Sequence, residues 1–171
     1  MKRLSGFFLV AALALPVIPA VAGDHAGGCK AIGSWYGYDE FGSIWWTSTV
    51  DGQSASHGTM NLEIPGSVNF FDGSYSITEL KGQWSKTGGS TYDWTSVGFP
   101  FDENAASLMI VKLSGTNILG DDCDSMMVTD IVMEVFPPFA DIYSDTPIAV
   151  DTSFLDHPGF RIKVDKPELL P

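Results

Sequence analysis

Beyond residue 30 the chain alternates between apolar and polar positions. Met60, Leu62 and Ile64 are separated by Asn61 and Glu63. Met127, Ile131, Met133 and Val135 share one parity, with Asp130 and Glu134 on the other. Phe160, Ile162 and Val164 are separated by Arg161 and Lys163. A period of two with one apolar face is the pattern of a strand that buries one side and wets the other. No 3.6-residue repeat of an amphipathic helix stands out against it.

Turn residues break the pattern at short intervals. Asp51-Gly52 and Asp72-Gly73 are hairpin dipeptides, Gly88-Gly89 separates two aromatic runs, and Asp102–Asn104 and Gly120–Asp122 read as loops. The runs predict strands near 32–38, 44–50, 57–64, 67–71, 74–80, 82–86, 90–101, 107–114, 125–136 and 160–165. Short connections favour antiparallel neighbours over parallel units, which need crossover helices. The expected fold is therefore all-β, an up-and-down antiparallel barrel of about eight to ten strands, with a two-sheet sandwich as the competing way to protect the edges. The 18 glycines favour the barrel, whose strands bend at glycines and bulges. Within 90–101 the bulky positions change parity between Trp94 and Phe99, which places a bulge near Ser96–Gly98. Residues 137–159, interrupted by Pro137-Pro138, Pro147 and Pro158, read as a long loop over one barrel end with a short strand at Ile148–Asp151.

The first 22 residues fit none of this. Lys2 and Arg3 precede an apolar run from Phe7 to Val21, and Ala20-Val21-Ala22 supplies small residues for cleavage. The organisation expected is a signal peptide at 1–22, an extension at 23–30, a barrel domain at 31–165 and a tail at 166–171, in a secreted or periplasmic protein. The run is shorter than a bilayer span requires, and no later segment would form a membrane helix once it is removed.

The full chain carries 21 acidic and 9 basic residues in 171, a formal charge of -12. Cleavage removes only Lys2 and Arg3 and leaves -14. Such a surface excludes a nucleic-acid partner, since nothing neutralises phosphates. Cys29 and Cys123 are the only cysteines, and in an oxidising compartment they allow a single intramolecular disulfide. Zinc would need more ligands of this type, and a thioredoxin-type site would need a close pair.

Gly33-Ser34-Trp35 resembles the Gly-x-Trp signature of lipocalins and the wider calycin group. The succession Gly82-Gln83-Trp84, Gly88-Gly89, Tyr92 and Phe99-Pro100-Phe101-Asp102 is similar to that of small lipocalin-like bacterial barrels, many without assigned function. The likeness covers roughly residues 31–136. It implies a barrel with a ligand-binding lumen, and a structural trio in which Arg161 of the last strand crosses Trp35 of the first, beside Gly33. Alternation of Phe160 and Ile162 opposes that placement of Arg161, so a solvated arginine stands as the other reading. Lipocalins also carry a helix after the barrel, and none is readable here.

Lumen candidates are Trp46, Trp84, Tyr92, Trp94, Phe99, Met109 and Met133, with Tyr36 a further aromatic to be assigned. An eight-stranded barrel is either filled by side chains or holds one small ligand. The function expected is an exported barrel that binds a small apolar molecule in its lumen. One alternative is an isomerase or cyclase in which His57 and an aspartate act as acid and base on a lumen-bound substrate. Another is a filled barrel whose 137–159 segment engages another protein. An apolar cavity of about 300 Å³ or more separates the first from the last. No cofactor motif, nucleophile elbow or paired-histidine metal motif is present. Asp121, Asp122 and Asp124 lack EF-hand spacing, and Gly23-Asp24-His25 would suit square-planar copper only as a free terminus.

Overall fold

The computed structural model describes residues 29–38, 43–65, 67–70, 73–102, 107 and 109–163. The expected signal peptide, residues 23–28 of the extension with the Gly23-Asp24-His25 motif, and the tail lie outside the described residues. Twelve strands form, in chain order: β1 (Gly33–Tyr38), β2 (Ile44–Gly52), β3 (His57–Glu63), β4 (Ser67–Phe70), β5 (Gly73–Ile77), β6 (Leu80–Lys86), β7 (Thr91–Gly98), β8 (Pro100–Phe101), β9 (Ile110–Leu119), β10 (Ser125–Phe136), β11 (Ala149–Asp151) and β12 (His157–Arg161). Eight of them close a barrel in the order β1-β2-β3-β6-β7-β9-β10-β12, every neighbour antiparallel. Closure is made by β1 on β12, with Trp35 opposite Arg161 and Gly37 opposite Gly159. The sandwich is thereby excluded, and the arrangement is compatible with a calycin-type barrel. β4, β5 and β8 form a separate three-stranded sheet, and β11 adds to the edge of β10.

Inward positions carry the core: Trp46 and Val50 of β2, Met60 and Leu62 of β3, Leu80 and Trp84 of β6, Tyr92 and Trp94 of β7, Val111 and Leu113 of β9. Outward positions between them are Thr47, Thr49, Asn61, Gln83, Asp93 and Thr95. That polarity, apolar inside and polar outside, is the reverse of a lipid-facing barrel. Among the described residues no helix is long and apolar enough to cross a membrane.

Three parities differ from the sequence pattern. β7 runs without a bulge: Tyr92, Trp94, Ser96 and Gly98 all face inward in unbroken register with β6 and β9. Phe99 follows on the outward parity and is 48% exposed. The bulge lies instead in β10, between Thr129 and Val132, where Asp130 adopts a φ of 53°. One extra residue there moves the inward set from Met126 and Val128 to Ile131, Met133 and Val135, and leaves Met127 outside. In β12 the alternation is inverted. Gly159 and Arg161 point toward the core while Phe160 and Ile162 face out, Phe160 against Tyr36 and Tyr38. Phe160 is apolar because of that exterior aromatic cluster, not because of the lumen.

β9 runs on through Gly115 to Leu119, beyond the expected end near residue 114. At Gly115 the Trp94 ring lies directly over the backbone, where a Cβ would collide with Cζ2. Residues 137–148 fold against the outside of the barrel rather than over its end. Lys112 of β9 pairs with Glu134 at 2.6 Å, donates to the Ile142 carbonyl at 3.4 Å and sits 6.0 Å from the Tyr143 ring centroid. Only the Phe154 region reaches the barrel mouth.

Exposed connections are pinned by aspartates. Asp122 Oδ1 accepts from Ser125 Oγ (2.7 Å), Ser125 N (2.9 Å) and Asp124 N (3.0 Å). The Ser125 hydroxyl is the main cause holding the Asp122 carboxyl below its ordinary range, with the two backbone N–H groups next. Asp141 is lowered first by the Tyr143 N–H, and Asp151 first by the Ser153 hydroxyl. A depressed folded-state pKa means that the folded chain binds fewer protons than the unfolded one. Its stabilisation is full above the unfolded aspartate value near about 4 and is lost as pH falls through the folded value. Thermal unfolding of the wild type and Ser125→Ala should therefore show a gap at neutral pH that closes in acid. A gap that is constant with pH would remove this role from Asp122.

Candidate functional site

The lumen opens at the barrel end formed by the start of β2 and the end of β3. Trp46 and Trp94 stand on facing walls, with Met60, Leu62, Leu113 and Ile131 between them and Trp45 at the rim. Trp45 stacks on His157 (centroids 4.3 Å, 28° between planes) and lies 6.0 Å from Phe154. The strap that connects β11 to β12 thus seats an aromatic side chain at the mouth. The enclosed space measures about 30 Å³, room for a water or two and an order of magnitude below ordinary ligand pockets.

Two polar residues sit on the inward parity of this apolar wall, Ser48 and Asn117, both buried. Asn117 Oδ1 accepts from Trp94 Nε1 at 3.0 Å, which orients the amide. Trp46 Nε1, in the same wall, is buried without a hydrogen-bond partner among the described residues. Unpartnered donors in an apolar wall are costly unless water or a guest completes them.

Of the lumen candidates, only Trp46 and Trp94 line this pocket. Met133 is buried in the core and Met109 packs partly buried against it. Trp84 and Tyr92 are also core residues, but they face the opposite end of the barrel, 5.5 Å apart by ring centroid. Phe99 and Tyr36 lie on outward parities. Sequence reading passed over Trp45, Ser48 and Asn117; polar residues on an otherwise apolar parity were the available signal for the last two.

The opposite end is sealed by residues 29–32, which cross it without joining a strand. Four successive carbonyls there each accept from a barrel side chain. Cys29 O takes Tyr92 Oη (2.5 Å), Lys30 O takes Arg161 Nη2 (2.7 Å), Ala31 O takes Trp35 Nε1 (2.7 Å) and Ile32 O takes Arg161 Nη1. The Cys29–Cys123 disulfide (Cα–Cα 5.1 Å) ties the same segment to the β9–β10 connection. Arg161 lies 4.2 Å over the Trp35 ring and donates from Nε to Cys123 O at 3.0 Å. Gly33, at φ 139°, lets the guanidinium pass, since a Cβ there would run into Arg161 Nη1.

His57 is not a lumen group. It opens β3 on the outward parity, and its Nδ1 lies 2.8 Å from Ser54 Oγ. The described residues that line the pocket include no carboxylate, imidazole or amine; His157 stands outside them, against the rim residue Trp45. No group of three or more metal-ligating side chains occurs among the described residues. Asp122 and Asp124 are occupied internally, Asp124 with Lys163 at 2.6 Å and Arg161 at 3.5 Å. Compared with known proteins, the chain matches no family model, and no curated protein is significantly similar to it in sequence.

Proposed function

We propose that this is an exported, lipocalin-like barrel whose lumen takes a small, uncharged, largely apolar molecule with a hydrogen-bond acceptor. The reading rests on one observation: an apolar pocket walled by tryptophans that carries the polar side chains of Ser48 and Asn117 and the unpartnered Trp46 Nε1. Few oriented polar groups in an apolar wall are the usual composition of a small-molecule site. An anionic guest is disfavoured, because no cation lines the pocket to offset its desolvation. The enclosed space, about 30 Å³, falls short of the about 300 Å³ of a ready-made site, so any guest of more than a few atoms must turn Trp45 and Phe154 outward. Native mass spectrometry of the protein from its own source should show an adduct that Ser48→Leu, which fills the pocket, removes. Bare mass in both proteins would end the proposal.

A second reading, the filled barrel acting through its 137–159 segment, is favoured by that same small volume. It is favoured too by Phe139 and Tyr143, 102% and 83% exposed. A bare wild-type mass would leave this reading standing.

A further inference from the structure

Six lysines and arginines lie among the described residues, and four of them face a carboxylate. Lys81 meets Glu79, Lys112 meets Glu134, and Arg161 and Lys163 share Asp124. The two without a carboxylate partner among the described residues are Lys30 and Lys86. In a chain with 21 acids to 9 bases, unpaired cations are the exception. Both border one cleft of about 270 Å³ at the sealed end of the barrel, remote from the lumen mouth.

The cleft lies between the 29–32 segment, the β2–β3 connection and the end of β6. Its floor is Trp84 and Tyr92, and Ala31, Ile32 and Ala55 complete an apolar wall. The shape is fixed from several sides. Trp84 Nε1 donates to Asp51 O at 2.9 Å, Tyr92 is held by Cys29 O, and Lys86 N donates to Ser56 O at 2.7 Å. Lys86 Nζ rests 5.6 Å from the Tyr92 ring centroid, so its charge sits beside the apolar floor instead of extending into solvent.

We propose that this cleft binds a soluble organic monoanion, an apolar body on the Trp84–Tyr92 floor with its carboxylate or sulfonate between Lys30 and Lys86. The surrounding negative charge of the protein disfavours the surface of an anionic membrane as the source of that group. The site is independent of the lumen reading, which calls for an uncharged guest at the other end.

Calorimetric titration of the full chain with octanoate, against octanol as the neutral match, tests it. Octanoate should bind more tightly than octanol by about ten-fold, and more weakly as salt is raised. Lys30→Gln and Lys86→Gln should each weaken octanoate by about five-fold, while arginine at either position retains it. Ser48→Leu, which fills the lumen, should leave octanoate unchanged. Because Asp24 precedes Lys30 closely in sequence, Asp24→Asn tests competition by the chain's own carboxylate; tighter octanoate binding in that variant supports the site. Equal binding of octanol and octanoate, insensitivity to both glutamine variants, loss in Ser48→Leu, or no binding in either wild type or Asp24→Asn would each overturn it. So would capture of the chain by phosphatidylglycerol vesicles with no affinity for octanoate.

Discussion

Replacing Cys29 and Cys123 by serine should lower the stability of the barrel by about 4–5 kcal/mol. The bridge joins residues 94 apart in sequence. In the chain-entropy account most of its effect lies in the unfolded state, where it removes the freedom of that long loop. The folded state supports this partition. Without the bridge, residues 29–32 still have Tyr92, Arg161 and Trp35 bonded to their carbonyls. The reduced protein should keep its native near-ultraviolet circular dichroism while its thermal midpoint falls by about 10–15 °C. A fall of only a few degrees would mean that the unfolded chain retains the contact without the bond. Loss of the native spectrum would mean that the bridge, rather than the side chains, holds the segment in place.

How much of this was legible in the sequence depends on what each strand faces. Where one side is core and the other water, as in β3 with Met60 and Leu62 inward, alternation marks the strand and its buried face together. It misleads where the outside is apolar. Phe160 and Ile162 look like a core face, yet Phe160 serves the exterior cluster with Tyr36 and Tyr38, and the inward positions go to Gly159 and Arg161. A bulge is invisible when its left-handed residue is not glycine: Asp130 gives no warning that Met127 and Ile131 lie on opposite faces. The disulfide was readable by counting. The lining of the lumen pocket was half readable, since Trp46 and Trp94 announce themselves while Ser48 and Asn117 join it only once their parity is known. Lys30 and Lys86, 56 positions apart in sequence, could be brought together only by the register of β2, β3 and β6 and by the crossing segment.

Trp35→Ala should be the most damaging single substitution, costing about 3–5 kcal/mol, because the ring is fully buried and its removal leaves a large void in a closed barrel. Its partner offers the sharper measurement. Arg161 is the strand residue directly opposite Trp35, it covers the ring at 4.2 Å, and it donates to the carbonyls of Lys30, Ile32 and Cys123. Arg161→Leu removes the ring contact, the three hydrogen bonds and the ion pair with Asp124, so a loss of about 2–3 kcal/mol is expected. Lysine should restore little of it, because one ammonium cannot reach three carbonyls in the fixed fork that a planar guanidinium presents. In the double variant the two losses should fall short of additivity by about 1 kcal/mol, since the ring and the guanidinium stabilise each other. Chemical denaturation of the four proteins gives these values directly. An Arg161→Leu loss below about 0.5 kcal/mol would make the arginine a surface residue in energetic terms, and the closure of the barrel end would then rest on the disulfide, Tyr92 and the Trp35 Nε1 bond to Ala31 O. An unchanged m-value across the set is part of the expectation, because the substitutions act on the closed end of a barrel whose unfolding exposes the same surface.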